Sequence, residues 1–339
     1  MTRASRTDSA AGVRPTNTRS PGKGEAVVTR PDLPDIFACC DCATPLSALD
    51  FCPACQRRFD RDGDCPVLFP QRARDVSWTI TPEMLSPEDI ATDTVFRYPS
   101  RSGQGKCGAY HLDLAHQDVF AGLPAGSIVL EIGCGGGQMR DWLRSRGLTY
   151  VGTDVSTDRV HDWLTAFGGP DVLCDAHALP VRDNSVDAVY AAAVWEHLAF
   201  PQMAAREVAR VLRPGGYFLG SASFLEPWHD ESYYHMTPNG THTTLRLAGL
   251  EILYVWPEVK WPGFVALLEM GNKATRPIRW LGRLMNAYYL FPKQMKLFVK
   301  MRTWPDRDRL FETRGKMAGA IAWIARRPQT AAAPEGEKH

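Results

Sequence analysis

An α/β fold with a mostly parallel sheet is predicted by three features of this 339-residue sequence. Short apolar segments that each end in an acidic residue recur at Glu131, Asp154 and Asp175. The intervals between them fit one crossover helix followed by one strand. A glycine-rich turn follows the first segment, where a parallel strand would hand over to a helix. Ligands of open α/β sheets bind beyond the carboxyl ends of the strands, so these features also predict where a site should lie.

The glycine-rich turn is the clearest local signal. Residues 129–137 read VLEIGCGGG, a buried-strand pattern followed by alternating glycines at Gly133, Gly135 and Gly137. Glycine allows a tight turn and a close approach of ligand to main chain. Glu131 adds a carboxylate, predicted at the mouth of the loop, which suits a ligand carrying an ammonium or sulfonium cation.

The two later acids are placed to hold a nucleoside. Asp154 ends the apolar segment 150–154, where an acid can accept hydrogen bonds from both hydroxyls of a ribose. Asp175 ends the segment 172–175, and a carboxylate there can accept from an adenine amino group. The glycine turn and the two acids therefore predict a nucleoside with a cationic group as ligand.

The alternation of strands and helices continues towards the C-terminus. A fourth strand over 187–194 leads into Trp195, Glu196 and His197, and a helix over 204–212 precedes a fifth strand over 217–223. A helix over 238–247 and a strand over 250–256 follow, and residues 316–327 are predicted to form the closing edge strand.

The ordered motifs LEIGCGGG, VGTDVS, DAHALP, NSVDAVYAAAVWEHL and RVLRPGGYFLGS resemble the class I S-adenosylmethionine-dependent methyltransferases, closest to the ubiquinone and menaquinone methyltransferase branch. The resemblance covers about 115–257 and a last strand near 317–327. It implies a Rossmann-like, seven-stranded, mostly parallel sheet with one antiparallel edge strand. It also implies S-adenosylmethionine as cofactor, but no particular acceptor. The cofactor-binding residues that it implies are Glu131, Gly133, Gly135, Gly137, Asp154, Asp175, Ala176 and Ala193.

Composition and charge argue against several other classes of protein. The net charge is +1, so no overall charge attracts nucleic acid. The sequence has no apolar run long enough to span a bilayer and no apolar core of a secretion signal near residue 1, which predicts a cytoplasmic protein. The predicted organisation is a disordered tail (1–34), a zinc ribbon (35–72), a linker or helical lead-in (73–114), a methyltransferase domain (115–328) and a second disordered tail (329–339).

A cysteine cluster near the N-terminus has metal-site spacing. Cys39 and Cys42 form one CxxC pair, and Cys52 and Cys55 form a second, which can hold one structural zinc ion through four thiolates. Cys40 is an alternative to Cys39. The segment resembles the Trm112-like zinc ribbon, which also occurs ahead of enzymes similar to ribosomal-RNA guanine methyltransferases. That resemblance keeps RNA open as an acceptor, although basic and aromatic residues are not interleaved in this segment and nucleic acid is not the favoured partner.

Three histidines are candidates for the chemistry. Methyl transfer needs alignment of acceptor, methyl carbon and sulfur, and a general base when the acceptor carries a proton. His229 is the first candidate, His235 the second, and both lie in an unusual run of histidines, acids and tyrosines. His197 is the third, although Glu196 and His197 could equally form a structural hydrogen-bond motif. Two alternatives to a general base stay open for residues 229–235. They could be an ordinary polar surface loop, or they could form a His/Asp/His metal site.

Residues 258–316 are predicted to be a helical insertion before the last strand. Helices are expected over 276–289 and 292–302, and lysine and arginine outnumber the acids Glu269, Asp306 and Asp308 between 260 and 310. This insertion could be a lid over the substrate pocket, a dimer interface, or a peripheral contact with an anionic membrane. The apolar side chains on one face of the first helix are Ile278, Leu281, Leu284, Met285 and Tyr288.

The preferred function is an S-adenosylmethionine-dependent methyltransferase acting on a small-molecule or prenyl- or lipid-like acceptor, as a monomer or a homodimer. Two alternatives stay open. One is an RNA methyltransferase that recognises its substrate through the zinc ribbon. The other is a non-catalytic protein that binds the donor or a partner, which the intact set of glycines and acids argues against.

Overall fold

The computed structural model describes residues 33–73, 95–103, 112–157, 167–271 and 273–329. Nearly all of the two predicted tails and most of the predicted linker lie outside the described residues. The described strands are β1 (Phe51–Cys52), β2 (Arg57–Arg58), β3 (Asp60–Asp62), β4 (Cys65–Val67), β5 (Ile128–Ile132), β6 (Thr149–Asp154), β7 (Val172–Leu173), β8 (Val186–Ala192), β9 (Leu212–Ser223), β10 (Glu251–Pro257) and β11 (Ala320–Arg326). The described helices are α1 (Leu114–Ala121), α2 (Arg140–Arg144), α3 (Pro201–Val211), α4 (Pro238–Leu247), α5 (Gly263–Met270), α6 (Arg279–Met301) and α7 (Phe311–Gly315).

Nine strands form one sheet in the order β10-β11-β9-β8-β5-β6-β7-β4-β3. The run from β9 through β8, β5 and β6 to β7 is parallel. The carboxyl ends of β5, β6, β7 and β8 therefore meet at one edge, which confirms the predicted mostly parallel α/β sheet and places the acid-ended segments side by side.

The sheet differs from the predicted one in two details. Seven strands, β5 to β11, come from the predicted methyltransferase domain, and the N-terminal segment adds β4 and β3 beyond β7, so the sheet has nine. The antiparallel strand β11 is not at the edge, because it pairs with β9 on one side and β10 on the other. Both neighbours bury β11, and Ala322 and Trp323 are fully covered.

The two faces of the sheet carry separate apolar clusters. Side chains alternate across a strand, so Leu130 of β5 joins one cluster and Val129 joins the other. The first cluster contains Val151, Val189, Trp195 and Phe218. The second contains Tyr150, Tyr190, Leu219 and Trp256.

The N-terminal segment 33–73 is built into this core. Val67 of β4 pairs with Leu173 of β7 in parallel, and the Leu68 amide donates to the Leu173 carbonyl at 2.8 Å. Further along, the Ala38 amide donates to the Pro180 carbonyl at 2.9 Å. Residues of the segment that belong to the first cluster of the sheet are Ile36, Phe37, Leu46, Cys52, Phe59 and Leu68. The segment thus shares the apolar core of the sheet.

The insertion between β10 and β11 is helical, as predicted, but its helices differ in number and length. Helix α5 is absent from the prediction, and α6 runs unbroken for 23 residues through Pro292, where the sequence predicts two helices. Proline removes the amide that would bond to the Tyr288 carbonyl. The helix nevertheless continues through Pro292 to Met301. Within the described residues, no helix combines the length and apolar composition needed to cross a membrane.

Candidate active site

A cavity of about 710 Å³ opens at the carboxyl ends of the parallel strands. It brings together residues from the glycine turn, from the ends of β6 and β8, and from the loop after β9. The lining residues are Ile132, Gly133, Gly135, Thr153, Asp154, Val155, Cys174, Ala176, Ala193, Val194, His197, Leu198, Trp228, Asp230 and Glu231. Six of the residues predicted from the sequence lie in this wall: Gly133, Gly135, Asp154, Ala176, Ala193 and His197.

The glycine turn is shaped by contacts that exclude side chains. Gly133 has a φ of +66°, and a Cβ there would lie 2.3 Å from a methyl carbon of Val194. Gly137 has a φ of +78°, and a Cβ there would lie 3.0 Å from the Gly169 carbonyl oxygen. The left-handed backbone and the lack of space both require glycine at these positions. Gly137 does not line the cavity and instead allows the start of α2 to pack closely.

Asp154 joins the turn to the second strand. Its Oδ2 accepts from the Gly135 amide at 2.8 Å, and its Oδ1 accepts from the Val155 amide at 2.7 Å. The carboxylate therefore holds the glycine turn against β6 and also faces the cavity. This position fits the predicted contact with a ribose.

Glu131 lies behind the glycine turn and not at its mouth, where the sequence had placed it. Its side chain is buried and its Oε2 accepts from the Tyr150 hydroxyl at 2.5 Å. Burial raises the pKa of Glu131 to about 8. At neutral pH this carboxyl is largely protonated, and its hydrogen bond from Tyr150 joins β5 to β6.

A buried ion pair next to Glu131 was not predicted from the sequence. Arg140 Nη2 donates to Asp171 Oδ1 at 2.8 Å and to the Gly169 carbonyl at 2.8 Å. Asp171 Oδ2 in turn accepts from the Gly152 amide at 2.8 Å. These bonds tie α2, β6 and the segment before β7 together behind the turn. In the sequence Arg140 resembles an ordinary helix-surface charge, and only its packing against Gly169 reveals this role.

Asp175 has a local role in the structure. Its Oδ1 accepts from the His177 amide at 2.9 Å and lies 2.6 Å from His177 Nδ1, so it caps the short 3₁₀ helix Ala176–Ala178. The neighbouring Ala176 lines the cavity, whereas the Asp175 side chain does not. Of the two residues predicted to face an adenine, Ala176 therefore lies in the cavity wall and Asp175 does not.

The three candidate histidines form one cluster, although only His197 lines the cavity. The ring centroids of His197 and His229 are 5.4 Å apart, and those of His229 and His235 are 6.2 Å apart. His229 Nδ1 lies 2.8 Å from the Pro227 carbonyl, and His235 Nε2 lies 3.5 Å from Ser232 Oγ. Burial lowers the pKa of His197, which keeps the ring neutral and able to accept a proton.

Glu196 is fully buried beside this cluster. Its Oε1 accepts from the Ser223 hydroxyl at 2.6 Å and from the Ser223 amide at 3.3 Å. Its backbone carbonyl accepts from the Tyr233 amide at 2.7 Å. Glu196 therefore docks the loop after β9 onto the end of β8.

Three non-glycine residues in the cavity wall have left-handed backbone conformations. The φ angles are 54° at Ala193, 42° at Asp230 and 59° at Glu231. Such conformations are costly for residues with a Cβ and often occur at functional sites. Asp230 and Glu231 belong to the unusual run that contains the candidates His229 and His235, Trp228 directly precedes it, and all three line the cavity.

The four predicted zinc ligands meet in space. The Sγ atoms of Cys39, Cys42, Cys52 and Cys55 all lie within 4.8 Å of one another. Cys39 Sγ is 3.7 Å from Cys55 Sγ, and Cys42 Sγ is 3.5 Å from Cys52 Sγ. Cys40 points elsewhere, with its Sγ 3.6 Å from Arg57 Nη1. This donor set fits a closed, tetrahedral thiolate site.

Known proteins resemble the central part of the chain. Residues 130–220 match the family model described as a methyltransferase domain. A tRNA (carboxymethyluridine(34)-5-O)-methyltransferase, ALKBH8 of Mus musculus, is 41% identical over 105 residues, which is 30% of this chain and 15% of that protein. Methyltransferase GfsG of Streptomyces halstedii is 39% identical over 100 residues, which is 27% of this chain and 36% of that protein.

The chain thus spans about a third or less of the length of these relatives. Among solved structures, a complex containing the Haloferax volcanii Trm112 methyltransferase activator aligns with a TM-score of 0.42 and 18% identity, covering 64% of this chain and 90% of that chain. The family match and the relatives support a methyltransferase domain in this part of the chain.

Proposed function

We propose that this protein is an S-adenosylmethionine-dependent methyltransferase whose donor occupies the 710 Å³ cavity. The observation that carries the proposal is the convergence of Gly133, Gly135 and Asp154 with Ala176 in one wall. In this assignment the glycine turn receives the methionine part of the donor, Asp154 accepts from the ribose hydroxyls, and Ala176 faces the adenine. His197 and Trp228 line the cavity too and mark the side from which an acceptor reaches the methyl group.

The transfer itself requires alignment more than activation. The acceptor atom attacks the methyl carbon, the carbon–sulfur bond breaks, and the sulfur keeps the electron pair to give S-adenosylhomocysteine. A cavity wall that holds the nucleoside rigidly supplies the in-line geometry. Where the acceptor carries a proton, the neutral ring of His197 is a base within the cavity wall, with His229 and His235 behind it.

Calorimetric titration with S-adenosylmethionine tests the donor site. Loss of a charge-assisted hydrogen bond costs about 1.5–3 kcal/mol, so Asp154→Ala should weaken donor binding roughly 10- to 100-fold. Asp183→Ala, a change of the same kind in an exposed side chain outside the cavity, should leave binding unaltered. Absence of donor binding by the unmodified protein, or equal binding by both variants, would contradict the proposal.

We further propose that the acceptor is amphiphilic and is reached at a membrane surface. The supporting feature is a row of exposed apolar side chains on one side of α6, which we call the outer stripe. Four of its members follow one another at intervals of three or four residues, and the fifth lies two helical turns after the fourth. Its members are Trp280, Leu284, Tyr288, Phe291 and Val299, which are between 52% and 81% exposed. The opposite side of α6 is buried at Gly282 and Leu290 and packs against α5. The outer stripe therefore faces away from the core.

The charges of α6 favour an anionic surface. The helix contains no acidic residue, and its basic residues are Arg279, Arg283, Lys293, Lys296 and Lys300. A basic helix with an exposed apolar face is typical of segments that lie in the interface of anionic membranes. Each Lys or Arg near such a surface contributes about 1 kcal/mol. The alternative of an apolar lid has less support, because no described residue of 258–316 lines the donor cavity.

The insertion also adjoins the cavity through the loop after β9. A Cβ at Gly263, the first residue of α5, would lie 3.1 Å from Leu225 Cβ. Just past the end of α5, a Cβ at Gly271 would lie 3.7 Å from Pro227 Cγ. Trp228, next in the chain, lines the cavity. A lipid-like acceptor held near α5 and α6 would thus be close to the methyl donor, as the resemblance to quinone methyltransferases also suggests.

Vesicle sedimentation tests the membrane proposal. The protein should sediment with vesicles that contain anionic phosphatidylserine, and binding should fall as salt is raised. A Trp280→Ser, Leu284→Ser double variant should lose most of this binding while its melting temperature stays unchanged. A Phe200→Ser variant, changed at a 62% exposed position outside the insertion, serves as control for surface apolarity. Vesicle binding that changes neither with salt nor with the double substitution would contradict the proposal.

RNA is the second candidate acceptor. The observation in its favour is the similarity of the central domain to a tRNA methyltransferase. Filter binding with transfer and ribosomal RNA at two salt concentrations separates the two acceptors, since phosphate contacts give a steep salt dependence. If this protein binds RNA saturably and does not bind anionic vesicles, RNA is favoured over the amphiphilic acceptor.

We also propose that one structural zinc ion fills the four-cysteine cluster. The supporting observation is that the four Sγ atoms all lie within 4.8 Å of one another. The cluster is closed by four sulfur donors, so the ion would have no open position for catalysis.

A further inference from the structure

We propose that Glu196, His197 and His229 form a second metal site, which binds one first-row divalent cation beside the methyl-donor cavity. One ligand atom from each of these residues lies within 4.8 Å of the other two. Four-coordinate ligands at bonds of about 2.1 Å are roughly 3.4 Å apart, so small side-chain rotations would complete the site. The proposal rests on the donor assignment only for its chemical role, because the ligand geometry stands independently.

The buried polar atoms at this position point to a missing ligand. Among the described residues, Glu196 Oε2 and His197 Nδ1 are buried and have no hydrogen-bond partner. Glu196 is fully buried, so water does not cover its carboxylate. An unpartnered carboxylate oxygen in such a setting is costly unless a cation or a donor satisfies it.

Both histidines are held in the way that metal ligands usually are. The Pro227 carbonyl lies 2.8 Å from His229 Nδ1, so this nitrogen carries the proton and Nε2 is left with its lone pair. The ring of His197 hydrogen-bonds to the backbone of Asp230, while its Nδ1 has no partner among the described residues. One ring nitrogen held by the backbone and the other directed at an ion is the usual arrangement around a metal.

A second carboxylate adds negative charge to the same place. Ser223 Oγ contacts Glu196 Oε1 and also Glu226 Oε2, and a hydroxyl has a single hydrogen to share between them. Glu226 Oε2 is itself 3.8 Å from His229 Nε2. Two carboxylates and two imidazoles thus lie together in one place, and oxygen and nitrogen donors of these kinds suit a divalent cation.

The donor set and the position define the ligand class. Two imidazoles and a carboxylate leave coordination positions open, as catalytic zinc sites and non-haem iron sites do. His197 lines the cavity, so an open position can face the acceptor. The acceptor class would then be a hydroxyl compound with a second oxygen donor, such as a vicinal diol or a hydroxy acid. With the ion bound, His197 is a ligand and no longer serves as the base. Coordination lowers the pKa of the hydroxyl, the proton leaves to solvent or His235, and the oxygen attacks the methyl carbon as the carbon–sulfur bond breaks.

Titration with Mn²⁺, monitored by electron paramagnetic resonance of the free ion, tests the site. Mn²⁺ prefers oxygen and nitrogen ligands to thiolates, so the cysteine cluster should not compete. One Mn²⁺ per chain should bind, and His229→Ala should weaken binding at least tenfold. Glu196→Gln, which keeps the shape of the buried side chain, should do the same. Circular dichroism of both variants shows that each is folded.

The matched control is Glu231→Gln, which removes the same charge from the same cavity outside the ligand set. It should change Mn²⁺ affinity by less than about threefold. Failure to bind Mn²⁺, or an equal loss in Glu231→Gln and His229→Ala, would overturn the metal site. Calorimetry with S-adenosylmethionine on the same samples keeps the two proposals apart. Donor binding without Mn²⁺ binding removes only the metal site, and Mn²⁺ binding without donor binding removes only the donor assignment.

Discussion

The sheet has an added segment near each of its two edges, and the two segments differ in whether their apolar residues are buried or exposed. At one edge, the segment 33–73 pairs with β7 and buries Phe37 and Leu68 in the core of the sheet. Beside the other edge, the insertion between β10 and β11 exposes Trp280, Leu284 and Tyr288. Apolar content alone therefore does not show whether a segment stabilises the fold or forms a surface for a partner.

The largest effect is expected when a cysteine of the N-terminal cluster is replaced. With the proposed zinc ion in place, Cys52→Ser should remove one zinc ion per chain and lower the melting temperature by about 10 °C or more, because the ion would stabilise a segment that shares the core of the sheet. Cys40→Ser is the matched control and should keep both the zinc and the melting temperature. Metal analysis and thermal melts measure both, and equal zinc content in the two variants would refute the assignment.

A pair of leucine substitutions compares the two additions directly. Leu68→Ala creates a cavity at a fully buried position and should lower the free energy of unfolding by about 2–5 kcal/mol. Leu284→Ala changes an exposed position of the outer stripe and should alter it by less than about 0.5 kcal/mol. Urea denaturation at equilibrium gives both values. Similar losses in the two variants would mean that the outer stripe is covered in the native protein.

Ionisation of Glu131, at the centre of the sheet, should make the stability of the protein depend on pH, whereas no such dependence is expected from the insertion. The folded-state pKa of Glu131, about 8, lies above its ordinary value of 4.5, so the folded state binds the proton more tightly than the unfolded state. The resulting stabilisation is complete below about pH 4.5 and is lost as the pH rises to about 8, at up to about 1.4 kcal/mol per pH unit.

Glu131→Gln should remove this part of the pH dependence, whereas vesicle binding by α6 should respond to salt and little to pH in this range. Denaturation curves for both proteins between pH 5 and pH 8 measure the difference. A constant difference in stability across that range would mean that Glu131 is ionised throughout.

The smallest effect is expected in the loop that lies between the cavity and the insertion. Glu231 has a φ of 59°, a conformation that glycine adopts without strain. Glu231→Gly should therefore be more stable than Glu231→Ala by about 1 kcal/mol, since both lack the carboxylate and only alanine keeps the strained backbone. Thermal melts compare the two, and the opposite order would show that the loop relaxes.

Much of the candidate site could be predicted because its residues follow strand ends. Parallel strands bring their carboxyl ends to one edge, so Gly133, Asp154 and Ala176 meet without any need to know the packing. The orientation of Glu131 could not be predicted, because its partner Tyr150 lies on the neighbouring strand. For the same reason the sequence did not reveal that Arg140 pairs with Asp171.

The sequence alone determined the strand and helix alternation, the glycine turn and the paired cysteines, since each depends on neighbours within a few positions of the chain. Only the tertiary structure decided that His229, from the loop after β9, meets Glu196 and His197 at the end of β8. It also decided that β4 extends the sheet and that the outer stripe faces away from the core. The physical reason is that spacing along the chain sets local conformation, whereas burial and the direction of a side chain depend on which distant segment packs against it.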